Sequence, residues 1–171
     1  MDKRKKVFDG VETELYNALD KPFDFAEEGR KTALICESGP LIRVKIGNIL
    51  EEMGYYITEA ANAHDSVIHM QDHAYQLIVV NESFDTENSV DNVLLKYIRN
   101  LPMTVRRDIF VVMLSVGIGT MDAMIAFKES VNLIINLDNI DGARAILERG
   151  IAENEAFYST FKNAKREAGH L

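Results

Sequence analysis

The chain has 171 residues, 47% of them apolar and 27% charged, which fits one globular domain with some residues to spare and excludes a wholly disordered chain. Its 19 basic and 27 acidic side chains give a net charge of −8; the opening MDKRKK holds four of the basic ones, leaving 15 basic against 26 acidic over residues 7–171. So acidic a body argues against a phosphate-backbone binder, the longest apolar run (109–114) is far short of a membrane span, and a lone cysteine, Cys36, excludes a disulfide framework.

No apolar stretch follows MDKRKK as it would in a secretory leader, so the expected location is the cytoplasm. Residues 7–19 place Phe8, Val11, Leu15 and Ala18 or Leu19 at three- and four-residue spacing, which predicts a short amphipathic helix. Pro22 disfavours helical backbone at Lys21, so the helix ends there and a connector follows.

From Lys31 onward, short apolar runs alternate with helical stretches. The runs are 33–36 (ALIC), 55–58 (YYIT), 77–80 (LIVV), 109–114 (IFVVML) and 133–135 (LII). They are rich in Ile and Val and lack apolar/polar alternation, as expected of parallel strands buried on both faces. Residues 40–53 form a helix opened by Pro40 and closed by Gly54, with Leu41, Val44, Ile49 and Met53 expected to face inward. Further helices are predicted over 63–73 with Asn62 as N-cap, 90–100, 121–130, and from about 139 onward. Five strands alternating with five helices predict a doubly wound α/β domain over residues 31–150, preceded by a helix and connector over 1–30.

Residues 151–171 read as a C-terminal helical extension. Its seam of Ile140, Ala143, Leu147, Gly150, Asn154, Phe157, Phe161, Ala164 and Ala168 is weak in the middle, which predicts two helical segments with a kink near Gly150. Phe157, Phe161 and Ala164 need a surface: their own domain, the N-terminal helix, or a second copy or partner protein.

In doubly wound sheets, ligands sit outside the carboxyl ends of the strands. The residues following those ends are Glu37 and Ser38, Asn81, Ser115, and Asn136. With ALICES, QLIVVN, VVMLS and LIINL in this order, residues 31–150 resemble the receiver domains of bacterial response regulators, CheY-like in fold. The resemblance implies a five-stranded sheet of order 2-1-3-4-5. It also implies a site with two acids after the first strand, a phosphoacceptor aspartate after the third, a Ser or Thr after the fourth and a lysine after the fifth. In that family the acids hold Mg²⁺, the aspartate takes the phosphoryl group, and the hydroxyl and lysine contact the phosphoryl oxygens.

Against that pattern, Glu37 is a longer carboxylate, Ser38 is neutral, Asn81 replaces the acceptor and Asn136 replaces the lysine; Ser115 fits. An amide offers no carboxylate oxygen to form an acyl phosphate. One carboxylate without phosphate is a poor Mg²⁺ site, so no metal and no cofactor are expected. Asp85 falls in the loop beyond Asn81 and is not expected to substitute for it.

Other signals read as structural. Asp65, His69 and His73 recur every four residues, but Val67 and Met70 mark the buried side of that helix. The turn 115–120 lacks the Lys-Ser or Lys-Thr of a phosphate loop, Cys36 reads as an inert core thiol, and no Ser-His-acid or Cys-His arrangement is legible, so no enzyme is expected. The leading expectation is a phosphorylation-independent pseudo-receiver acting through protein partners, with a possible homodimer and no nucleic-acid or membrane partner. The alternative is a flavodoxin-like binder or enzyme that takes a small ligand or nucleotide in the same crevice.

Overall fold

A computed structural model describes residues 29–87 and 90–169. The predicted helix at 7–19 and most of its connector lie outside these residues. The elements in chain order are β1 (Lys31–Cys36), α1 (Pro40–Glu52), β2 (Tyr55–Glu59), α2 (Ala63–Asp72), β3 (Leu77–Asn81), α3 (Val93–Arg99), α4 (Met103–Arg106), β4 (Phe110–Ser115), α5 (Ala123–Glu129), β5 (Leu133–Asn136), a 3-10 turn (Leu137–Gly142) and α6 (Ala143–Glu167). All strand pairs are parallel, in the order β2-β1-β3-β4-β5.

Each central strand is apolar on both faces because helices cover both. Ala33, Ile35, Leu77, Val79, Val112, Leu114 and Ile135 face α1 and α6, packing on Ile46, Leu50, Ala143 and Leu147. Leu34, Cys36, Ile78, Val80, Val111, Met113 and Ile134 face the other layer, with Leu94, Leu95 and Ile98 of α3 and Ala126 of α5. This double burial is why the runs show no two-residue alternation.

Three sequence expectations are corrected. The inward side of α1 is Ile42, Ile46, Ile49, Leu50 and Met53, whereas Leu41 and Val44 are exposed. The 42–46–49–53 spacing satisfies the same periodicity as the predicted one, and contact with the sheet decides between them. The one-turn helix α4, opened by Pro102, was not anticipated; four residues are too few for a periodic signal. Finally, α6 runs unbroken for 25 residues, without the predicted division at Gly150. A β-carbon there would lie 3.1 Å from Leu133 Cδ2 and 3.3 Å from Phe110 Cζ. The glycine serves close approach of helix to sheet, and Asn154, the other weak position, accepts a hydrogen bond from Asn132 Nδ2 at 3.2 Å.

Beyond Asn154 the half-buried positions of α6 are Tyr158, Lys162 and Lys165. Phe157 is 78% exposed and Phe161 41%, and Ala164 is also exposed, so the described domain does not bury them. The Arg107 guanidinium lies 4.4 Å from the centre of the Phe161 ring, and the Tyr158 ring meets Phe157 edge-on at 5.0 Å. No helix among the described residues is long and apolar enough to cross a membrane.

Candidate functional site

The carboxyl ends of β1 and β3 meet where the strand order reverses, since β1 pairs with β2 on one side and β3 on the other. The register sets Cys36 beside Val80, which brings Glu37 and Asn81 together just outside the sheet. Glu37 is 4% exposed and each oxygen of its carboxylate accepts a hydrogen bond. One oxygen accepts from Asn81 Nδ2 at 2.7 Å and the other from the Gly39 amide at 2.7 Å. A side chain at position 39 would crowd that second contact, with a β-carbon 3.2 Å from the same oxygen. Asn81 Oδ1 in turn accepts from the Ser83 amide at 2.9 Å. Ser38 is exposed, in the turn between Glu37 and Gly39.

Ser115 and Asn136 pair across β4 and β5. Ser115 is completely buried, and its hydroxyl donates to Glu82 Oε1 at 2.7 Å. The same oxygen accepts from the Val116 amide at 3.0 Å. Glu82 reaches this position because its own amide donates to Leu114 O at 2.9 Å, carrying the β3–β4 ladder one residue past the strand. Asn136 Nδ2 donates to the carbonyls of Val116 (3.1 Å) and Ile118 (2.8 Å), and its Oδ1 accepts from the Asp138 amide at 2.9 Å. The five predicted positions therefore fall into two groups, Glu37–Ser38–Asn81 and Ser115–Asn136, linked through the Asn81–Glu82 step.

Sequence reasoning missed two residues. Glu82 carries no positional signal, because a glutamate one step past a strand ordinarily points to water. Asn92 is buried and caps α3 by accepting from the Leu95 amide at 3.0 Å, while its Nδ2 donates to the carbonyls of Asn81 (3.2 Å) and Glu82 (3.3 Å). Its signal was an N-cap asparagine before an apolar run, obscured by starting the helix at Val90. Asp85 has a positive φ of 55° and its carboxylate accepts from the Ala63 amide at 3.1 Å, at the start of α2.

These residues do not fit the divalent cation of a receiver site. Both Glu37 oxygens already face N–H donors, Ser38 is neutral, and Asn81 directs its N–H toward Glu37. A hard cation needs free oxygens at these places. Among the described residues no three His, Cys, Asp or Glu side chains converge as a metal site; His69 Nε2 sits 3.5 Å from Asp65, and His73 meets the Tyr75 ring edge-on. Burial, reinforced by the charge of Asp65, pushes the Cys36 thiol well above its usual range, so it stays protonated. A recess of about 400 Å³ lies at the opposite ends of the strands, beside Lys31, Tyr55, Arg144 and Glu155, and is separate from the crevice.

No family model matches the chain, and no curated protein matches it in sequence. Solved structures do match in shape. A receiver domain from Methanospirillum hungatei shares 16% identity over 75% of this chain and 98% of its own, with a TM-score of 0.58. A response regulator from Thermotoga maritima shares 18% over 72% and 98% (TM-score 0.56), and a receiver domain from Methylobacillus flagellatus shares 20% over 71% and 99% (TM-score 0.54). Strand order, helix placement and these likenesses agree: the described domain is receiver-like, with the CheY-like fold of response-regulator receiver domains.

Proposed function

We propose that the chain is a pseudo-receiver: a signalling module that works by protein contact, without taking up a phosphoryl group. The observation that carries this reading is the Asn81–Glu37 hydrogen bond. The side chain at the acceptor position is an amide, spent as a donor to the one carboxylate at the metal-binding positions. It has no nucleophilic oxygen, and the single carboxylate it meets already accepts an N–H on each oxygen, with no second acid beside it to share a cation. Charge points the same way, since two neutral side chains, Ser38 and Asn81, stand where a receiver concentrates its acids.

Phe157, Phe161 and Ala164 are the proposed contact surface for a protein partner or a second copy, and the pathway is proposed to be intracellular signal transduction. Their exposure on an otherwise polar helix end supports this. A small ligand in the crevice is the weaker reading, because the polar groups there already satisfy one another. Intact-mass analysis after incubation with Mg²⁺ and a small acyl phosphate donor tests the proposal. Unmodified protein is expected, whereas a stoichiometric, hydroxylamine-labile phosphoryl adduct overturns it.

A further inference from the structure

We infer that the Glu82 carboxylate is a resident latch, holding the β4–α5 turn in one conformation from the place where a receiver-like site would receive a phosphoryl oxygen. The inference takes from the pseudo-receiver reading only the equivalence of Ser115 with the phosphoryl-contacting hydroxyl. The rest is geometry around residues 115–118.

The turn contains Gly117 and Gly119, which confer little order of their own. Its order comes from two sides. On one, three successive amides find their acceptors in the Glu82–Ser115 pair: Val116 N–H on Glu82 Oε1, and Gly117 and Ile118 N–H on Ser115 Oγ at 3.2 and 3.1 Å. A hydroxyl has one hydrogen and two lone pairs. Ser115 gives its hydrogen to Glu82 and both lone pairs to the amides, so its capacity is used in full. On the other side, Asn136 clamps the carbonyls of Val116 and Ile118. Asn136 also donates its own amide to Thr120 Oγ1 at 2.9 Å, and Thr120 donates onward to Asn139.

Glu82 is the anchor of the first side because an ionised acceptor makes the stronger hydrogen bonds. It delivers negative charge to Ser115 and Val116 without any transfer step. An external oxyanion meets donors that are already occupied. Downstream, Met121 N–H on Ile134 O and the Asp122 cap seat α5, whose Met124 and Phe127 face solvent together with Val116 of the turn. The latch thereby sets the position of Val116 at the edge of that surface.

Residue-resolved hydrogen exchange tests this on the full chain. In Glu82→Ala the Val116 amide loses its acceptor and is expected to exchange about tenfold faster or more, while Gly117 and Ile118, whose acceptor Ser115 Oγ loses its anchor but remains, speed up by less. In Ser115→Ala, Gly117 and Ile118 speed up while Val116 stays protected by Glu82. Millimolar inorganic phosphate slows exchange again in Glu82→Ala and leaves the wild type unchanged. Unchanged rates in a folded Glu82→Ala overturn the latch, as does release of Val116 along with the other two in Ser115→Ala. The second variant decides the matter should the first fail to fold. Phosphate without effect on Glu82→Ala overturns the placement at the phosphoryl position. Phosphorylation of the wild type contradicts the pseudo-receiver reading instead, and leaves the exchange result standing.

Discussion

At the level of single residues, the side chains at the strand ends complete one another. Asn81, proposed to stand at a receiver's acceptor position, supplies a donor to buried Glu37. Asn81→Asp removes that donor and sets two carboxylates side by side, one of them buried. Stability at pH 7 is expected to fall by about 1–3 kcal/mol, the cost of a buried group left unsatisfied, as read by denaturant unfolding. The Cys36 thiol and the Tyr55 and Tyr75 phenols have their pKa values raised, first of all by burial. They hold their protons more tightly folded than unfolded. Their stabilising contribution is therefore complete below the unfolded values, about 8.5 for cysteine and about 10 for tyrosine, and is lost as pH climbs toward the folded ones. Unfolding free energy measured from pH 8 to pH 11 should fall steadily, and native Cys36 should resist thiol reagents that label it in denaturant. The positions of the five proposed site residues were readable because each lies at or just beyond the carboxyl end of a strand. Glu82 and Asn92 were not, because the atoms they hold belong to β4 and to the end of β3, and no local spacing in the sequence records that proximity.

Elements follow the same division between local pattern and tertiary contact. The five strands were readable because burial on both faces demands unbroken apolar runs; the structure lengthens four of them by one or two residues and shifts the fourth by one. Helix phase was less readable. In α1 two apolar spacings compete, and only the sheet chooses Ile42–Ile46–Ile49 over Leu41–Val44. Gly150 shows why propensity misleads: a helix-weakening residue sits mid-helix because Leu133 and Phe110 leave no room for a β-carbon. Gly150→Leu is expected to destabilise by about 2 kcal/mol despite its better helix propensity, through overpacking. A hinge at this position would instead gain stability, so the sign of the change in thermal midpoint separates the two. Asn92→Ala removes both the α3 cap and the donor to two loop carbonyls, and should cost about 2 kcal/mol in chemical denaturation.

Over the whole molecule, the net charge of −8 and the exposed end of α6 are consistent with the proposed contact with other proteins. Phe157 contributes little to the domain itself, because most of its surface is already in water, and the Arg107 contact of the half-covered Phe161 is worth only about 0.5–1 kcal/mol. The Phe157→Ala/Phe161→Ala double variant should keep its stability to within about 1 kcal/mol. Light scattering or partner capture should respond to it, since the proposed contact surface is gone. Doubly wound topology was legible from the alternation of runs and helices, whereas the exposed direction of this face was not. Periodicity gives a stripe but not the side of the helix that the sheet claims.

In the proposed pseudo-receiver, the receiver-like framework is kept while the chain's own side chains occupy the site. The most direct measurement is the amide NMR spectrum over residues 81–82, 115–120 and 136, recorded before and after addition of Mg²⁺ and a small acyl phosphate. Superimposable spectra are expected, with Val116, Gly117 and Ile118 in a single set of signals. New or shifted signals across β3, β4 and the following turn, appearing with the phosphodonor and decaying as it hydrolyses, would contradict the proposal.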